Sequence, residues 1–133
     1  MIAQAEQLLQ RGPGVSRTLL PAIFAIFSQW HLTGAQQMTL LGLCNEKTLY
    51  NWKGQPEKAK LTRDLLERTS YLLGIYKSLQ ILLPDQALAD QWLVTPNDNP
   101  LFNGRAPLDR LLAGQVMDLA VVRGFLDAQR SGW

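Results

Sequence analysis

Lys47, Thr48, Asn51 and Lys53 stand in one short stretch, with Leu49 and Trp52 three residues apart between them. These polar types bond phosphate oxygens or base edges, so the four are candidate DNA-binding residues. A second stretch, NDNPLFNGRAPLDRLLAG over residues 97–114, mixes prolines, asparagines, Phe102 and Arg105 in a compact loop and then enters a helix. It holds no His, no Cys and no nucleophile beside a base. No catalytic residue, metal ligand set or phosphate-cradling loop stands out elsewhere, so the reading is a non-enzyme without cofactor or metal. The loop reads as a shaped surface for presentation.

These residues need helices to place them. Apolar residues recur at three and four along the chain and period-two alternation is absent, so the fold class is all-α. A short helix is expected over 2–10, ended by Gly12, Pro13 and Gly14. A heavily apolar one runs over 18–30, with Pro21 in its first turn. Thr33 caps a helix over 34–41, and Asn45 caps another over 46–53, with Glu46 well placed against the helix dipole. Two short helices around a turn containing Gly42 suggest a helix-turn-helix, the second carrying the recognition face. From Gly42 to Trp52 it is one residue longer than the commonest spacing, and position 38 is Met38 where alanine is usual.

Thr62 caps the longest helix, which Pro84 stops. Leu65, Thr69, Leu72, Leu73, Tyr76 and Leu79 fall on one face, and Gly74 within it suggests a close approach. Asp85 caps a helix to about residue 93. Pro107 opens the next, Gly114 ends it, and the last runs over 115–129 with Val116, Leu119, Val122 and Leu126 as its stripe. Arg123 and Asp127 can pair there.

Residues 1–60 hold six Lys/Arg against three Asp/Glu, and residues 84–133 four against six. A basic front and an acidic back suggest different partners for the two halves. The expected organisation is an arm and helix-turn-helix over 1–60 and a second helical region over 61–133. The single cysteine, Cys44, permits no internal disulfide and fits the reducing cytoplasm. It is expected to be a small buried turn residue. No secretory signal is read at the start, and the most apolar run, residues 19–27, is too short to span a bilayer. Cytoplasmic location without membrane association is expected.

Several segments carry a family likeness. NPLFNGRAPLDRLLAG over 99–114 resembles the signature of the toxin-binding domain in Xre/MbcA/ParS-type antitoxins. LERTSYLLGIYKSL over 66–79 is similar to the helix preceding it. LLGLCNEKTLYNW over 40–52 resembles the helix-turn-helix segment of Xre-like antitoxins. With Trp92, Leu93, Val122, Arg123, Leu126, Asp127, Gly132 and Trp133, the likeness covers most of residues 40–133.

The resemblance implies a DNA-binding front half and a toxin-binding, dimerising back half. It implies a RES-domain, NAD-consuming toxin as partner, neutralised by covering its active-site cleft, and operator DNA bound by a homodimer. Phe102, Asn103, Gly104, Arg105 and Trp133 are then the toxin-binding candidates. Phe102 is either a rigid anchor or core. Arg105 either offers its planar fork to the partner or pairs with Asp109. Trp133 either plugs a pocket or caps the core. Asp109 reads foremost as a first-turn dipole partner, and His31 as structural or solvated. The competing function is a stand-alone helix-turn-helix regulator whose back half only dimerises.

Overall fold

The structure, a computed structural model, describes residues 2–131. Among them the secondary structure is α-helix and short 3₁₀ turns, with no strand. No described helix is long and apolar enough to cross a membrane. The chain forms two compact units, Met1–Ser70 and Tyr71–Trp133.

The first unit holds α1 (Ile2–Arg11), α2 (Pro13–Gln29), α3 (Gly34–Leu41), α4 (Glu46–Gly54), a 3₁₀ turn at Pro56–Lys58, and the start of α5 (Arg63–Leu82). Its centre is α2, which buries Leu20, Ile23, Ile26 and Phe27 at helical spacing. This helix starts earlier than expected. Pro13 rather than Pro21 takes the first turn, where a missing N–H is harmless. Pro21 therefore lies inside the helix. Arg17, whose carbonyl it cannot bond, and Pro21 are both exposed, so the missing bond falls on the outer side of the helix. Ser16, fully buried, donates its hydroxyl to the Ala59 carbonyl at 3.0 Å and ties α2 to the chain beyond the 3₁₀ turn.

Local chemistry sets the ends of α3 and α4. The Thr33 hydroxyl accepts from the Gln36 N–H at 3.1 Å, and Gln36 Oε1 accepts from the Thr33 N–H at 2.9 Å, a reciprocal capping box. Gly42 ends α3 at φ +72°, a left-handed conformation that favours glycine. Asn45 Oδ1 accepts from the Lys47 N–H at 2.8 Å and starts α4. Cys44 is exposed in the turn between, contrary to the expected burial, because the left-handed step at Gly42 turns the chain away from the core. His31 is exposed at φ +57°.

The second unit contains the rest of α5, then α6 (Gln86–Val94), a 3₁₀ turn at Pro100–Phe102, α7 (Pro107–Leu111) and α8 (Val116–Arg130). Thr62 caps α5 by accepting from the Leu65 N–H at 3.1 Å. The buried stripe of α5 includes Leu65, Thr69, Leu72, Ile75 and Leu79, whereas Leu73 and Tyr76 are only half-buried. Asp85 caps α6 through the Ala87 N–H at 2.9 Å. Helix α7 is shorter than expected. It stops at Leu111, with Leu112 as its cap, and Gly114 follows at φ +91°. Leu119, Val122 and Leu126 of α8 are buried, with Val116 half-buried at its start.

Candidate functional site

Two surfaces carry the chemistry. The first is α4. Leu49 is 1% exposed and Trp52 half-buried, which fixes the inner side of the helix. At 3.6 residues per turn the opposite side carries Lys47, Tyr50, Asn51 and Gly54. Lys47 and Asn51, four apart, are both exposed on this face. Tyr50, 63% exposed, flanks them on the same side of the helix, and the sequence alone did not place it among the contact residues. Its signal was positional, three residues after Lys47 and one before Asn51. Thr48 sits at one edge and is half-buried. Lys53 sits at the other edge, with its Nζ 5.5 Å from the centre of the Phe24 ring. That cation–π contact ties Lys53 to α2 and sets it apart from the outward face. The face therefore combines a cation, an amide and a phenol, the donor and acceptor types that meet phosphates and base edges.

The second surface is the loop before α7. It is closed on itself by the Asn97 N–H, which donates to the Arg105 carbonyl at 3.0 Å. Asn97 Oδ1 accepts from the Asn99 N–H at 2.9 Å, and Asn99 Oδ1 from the Leu101 N–H at 3.0 Å, two successive side-chain turns. Asn103 and Gly104 follow at φ +51° and +75°. Asparagine and glycine are the residues that accept this region most readily. No atom outside its immediate chain neighbours lies within 4 Å of a Cβ placed on Gly104, so its conformation, and not crowding by its own chain, requires glycine.

Phe102 supports this loop from within. It is 3% exposed and meets Trp92 edge-on at 5.9 Å and Phe125 edge-on at 5.5 Å. Trp92 and Phe125 stack at 6.2 Å. Edge-to-face and offset rings at these separations are favourable beyond their burial. Of the two roles open to Phe102, the structure gives it the core one. A ring closed in on two sides by Trp92 and Phe125 presents no anchor. Arg110, which sequence reading passed over, braces the loop from the other side. Its Nε donates to Asp118 Oδ1 at 2.8 Å, and its Nη1 donates to the Leu101 carbonyl at 3.0 Å. Only its separation from Asp118, eight residues on and beyond a helix break, hid it.

What remains outward is the tip. Leu101, Asn103, Gly104 and Arg105 are exposed. Arg105 pairs with Asp109 at 3.5 Å, yet its side chain is 72% exposed. A pair this open contributes little, so the guanidinium remains available to a partner. Leu101, Phe102, Asn103, Arg105, Asp109 and Arg110 line a small cavity of about 150 Å³ at this tip. Trp133 lies outside the described residues.

Known protein families match both parts of the chain. Residues 10–74 match the antitoxin Xre-like helix-turn-helix domain, and residues 78–132 match the antitoxin Xre/MbcA/ParS C-terminal toxin-binding domain. The chain is also 41% identical over 113 residues to "Uncharacterized protein y4oB" of Sinorhizobium fredii (strain NBRC 101917 / NGR234), an alignment covering 85% of this chain and 84% of that protein. With a capped helix-turn-helix in its first unit and a braced, outward loop in its second, the chain belongs to the Xre/MbcA/ParS antitoxin family.

Proposed function

We propose that this antitoxin neutralises a RES-domain, NAD-consuming toxin by laying the loop tip over the toxin's active-site cleft. Asn103, Gly104 and Arg105 make the contact, and Trp133 adds to it. The chain acts by binding, without cofactor or reaction of its own, in the cytoplasm. Residues 1–60 carry the DNA-binding function and residues 61–133 the toxin-binding and dimerising function. A homodimer represses the operon through Lys47, Thr48, Asn51 and Lys53 of α4. Tyr50, exposed on the same helix, joins them.

One observation carries the toxin-facing part of this reading. The loop is held by Phe102 from within and Arg110 from the side, while its tip stays exposed. A pre-formed loop loses little entropy on binding, which suits a tight inhibitor. The exposed guanidinium of Arg105 adds a fork that matches carboxylates and carbonyls.

The test is co-expression with the product of a neighbouring RES-type reading frame. The toxin alone should arrest growth, and this chain should rescue growth and co-purify with it. Arg105→Ala should weaken the complex without changing the fold. A neighbour that is harmless alone, or a toxin that ignores this chain, would reject the proposal.

A further inference from the structure

The turn between α3 and α4 sets where the outward face of α4 points. A helix ends with carbonyls that lack partners inside it. At the end of α3 the Leu43 N–H reaches the Met38 carbonyl at 2.8 Å, and the Gly42 N–H reaches the Thr39 carbonyl at 3.2 Å. These are the two bonds of a glycine-ended helix. Neither reaches the Leu40 carbonyl.

A donor for it comes from α5, 28 residues away in sequence. Nη1 of Arg68 lies 3.3 Å from the Leu40 carbonyl oxygen and 3.3 Å from that of Thr39. Its Nε donates to Asp64 Oδ2 at 2.9 Å, one turn back on α5. The residue is 8% exposed, a depth at which a charge is retained only with partners around it. The guanidinium also lies against the backbone of Gly42. A Cβ there would stand 2.9 Å from Arg68 Nε, 3.1 Å from its Cζ and 3.2 Å from Asp64 Oδ2. Gly42 is thus required twice, by its left-handed φ and by the arginine beside it.

We infer that Arg68 is a positioning residue for DNA binding, holding the carbonyl end of α3 so that α4 presents Lys47, Tyr50 and Asn51 at a fixed angle. The inference rests on the reading that α4 contacts DNA. Arg68 itself need not touch DNA. Its planar fork reaches two carbonyls and a carboxylate at once, and a lysine ammonium, a single point charge on a flexible stem, cannot copy that geometry.

Arg68→Lys and Asp64→Asn in the full chain test it. Asp64 is 55% exposed, so Asp64→Asn is expected to fold even where a change at Arg68 does not. Two readouts are taken. One is amide hydrogen exchange across residues 42–45. The other is affinity for a labelled duplex from the region upstream of this reading frame, against a shuffled duplex of the same composition. Both variants should exchange faster at Gly42 and Leu43. Both should lose affinity for the upstream duplex by roughly tenfold, about the loss of one good base contact, and keep their affinity for the shuffled one. Unchanged exchange, or variants that melt earlier yet bind the upstream duplex like the parent, overturns the inference and leaves Arg68 as a stabiliser only. A parent that binds neither duplex, or both alike, instead overturns the operator reading on which the inference rests.

Discussion

The guanidinium of Arg123, on α8, lies directly over Gly74, on α5, in the space that a Cβ at position 74 would need. A glycine in the middle of this helix predicts a close approach there. The structure shows that a side chain, and not a second helix backbone, fills the space. Arg123 is held there by Asp127 Oδ2 at 3.5 Å. Asp127 Oδ1 in turn accepts the hydroxyl of fully buried Ser78 at 3.1 Å, so α5 meets α8 at two successive turns, by contact at Gly74 and by a hydrogen bond at Ser78.

Gly74→Ala therefore has two opposed effects. Replacing a mid-helix glycine gains about 1 kcal/mol of helix propensity. Against it, Arg123 must swing aside; its guanidinium is the far end of a flexible side chain, 37% exposed, so the displacement loses an open ion pair with Asp127 and costs about 0–1 kcal/mol. The expected net result is a smaller gain in the parent than in an Arg123→Ala background, where the full propensity gain of about 1 kcal/mol is realised. Denaturant melts of the four proteins of this cycle measure the coupling. An equal gain in both backgrounds would falsify the close contact.

Phe102 and Arg105, two residues either side of the tip, should separate stability from binding. Phe102→Ala empties a buried site and is expected to cost about 3–5 kcal/mol. Arg105→Ala removes only an exposed ion pair, with an expected change of about 0–1 kcal/mol in stability. Toxin affinity should fall in both, but with an unchanged melting temperature only in Arg105→Ala. Thermal melts beside a pull-down with the toxin distinguish them, and full toxin affinity in Arg105→Ala would remove Arg105 from the interface.

The left-handed conformation of Asn103 offers a test of loop shape. Asn103→Gly should be tolerated, because glycine accepts φ +51° without strain. Asn103→Val should cost about 1–2 kcal/mol or open the loop, since a β-branched residue resists this conformation. Chemical shifts of Arg105 and Asn97, bonded across the loop at 3.0 Å, report the opening. Identical shifts in both variants would mean that the loop does not depend on this residue.

On α4, Lys47 and Asn51 should fail differently. Lys47→Ala should weaken binding to any duplex and lower the salt dependence by about one phosphate contact. Asn51→Ala should weaken the operator by about 1–3 kcal/mol and spare unrelated DNA. Lys53→Ala should have the smallest effect on DNA of the three, because its ammonium faces the Phe24 ring. Salt titrations on specific and unrelated duplexes check all three.

The helix ends that rest on neighbours within a few residues were legible from the sequence alone. Thr33, Asn45, Thr62 and Asp85 cap the helices they were expected to cap, since a side-chain cap needs only a donor two or three positions on. The all-α class and the antitoxin family were legible too, from periodicity and from motifs in order along the chain. Tertiary structure decided which side each residue faces. Phe102 stands in an exposed-looking loop and is buried because Trp92 and Phe125, distant in sequence, close around it. Cys44 looks like a core residue and is exposed. Pro21 sits inside α2 because Pro13 opens that helix first. Arg68 is buried against Thr39 and Leu40, and Arg110 finds Asp118 across a helix break. A cap depends on the next turn of the chain, whereas burial and charge pairing depend on which segments meet in space, and only the folded chain brings those together.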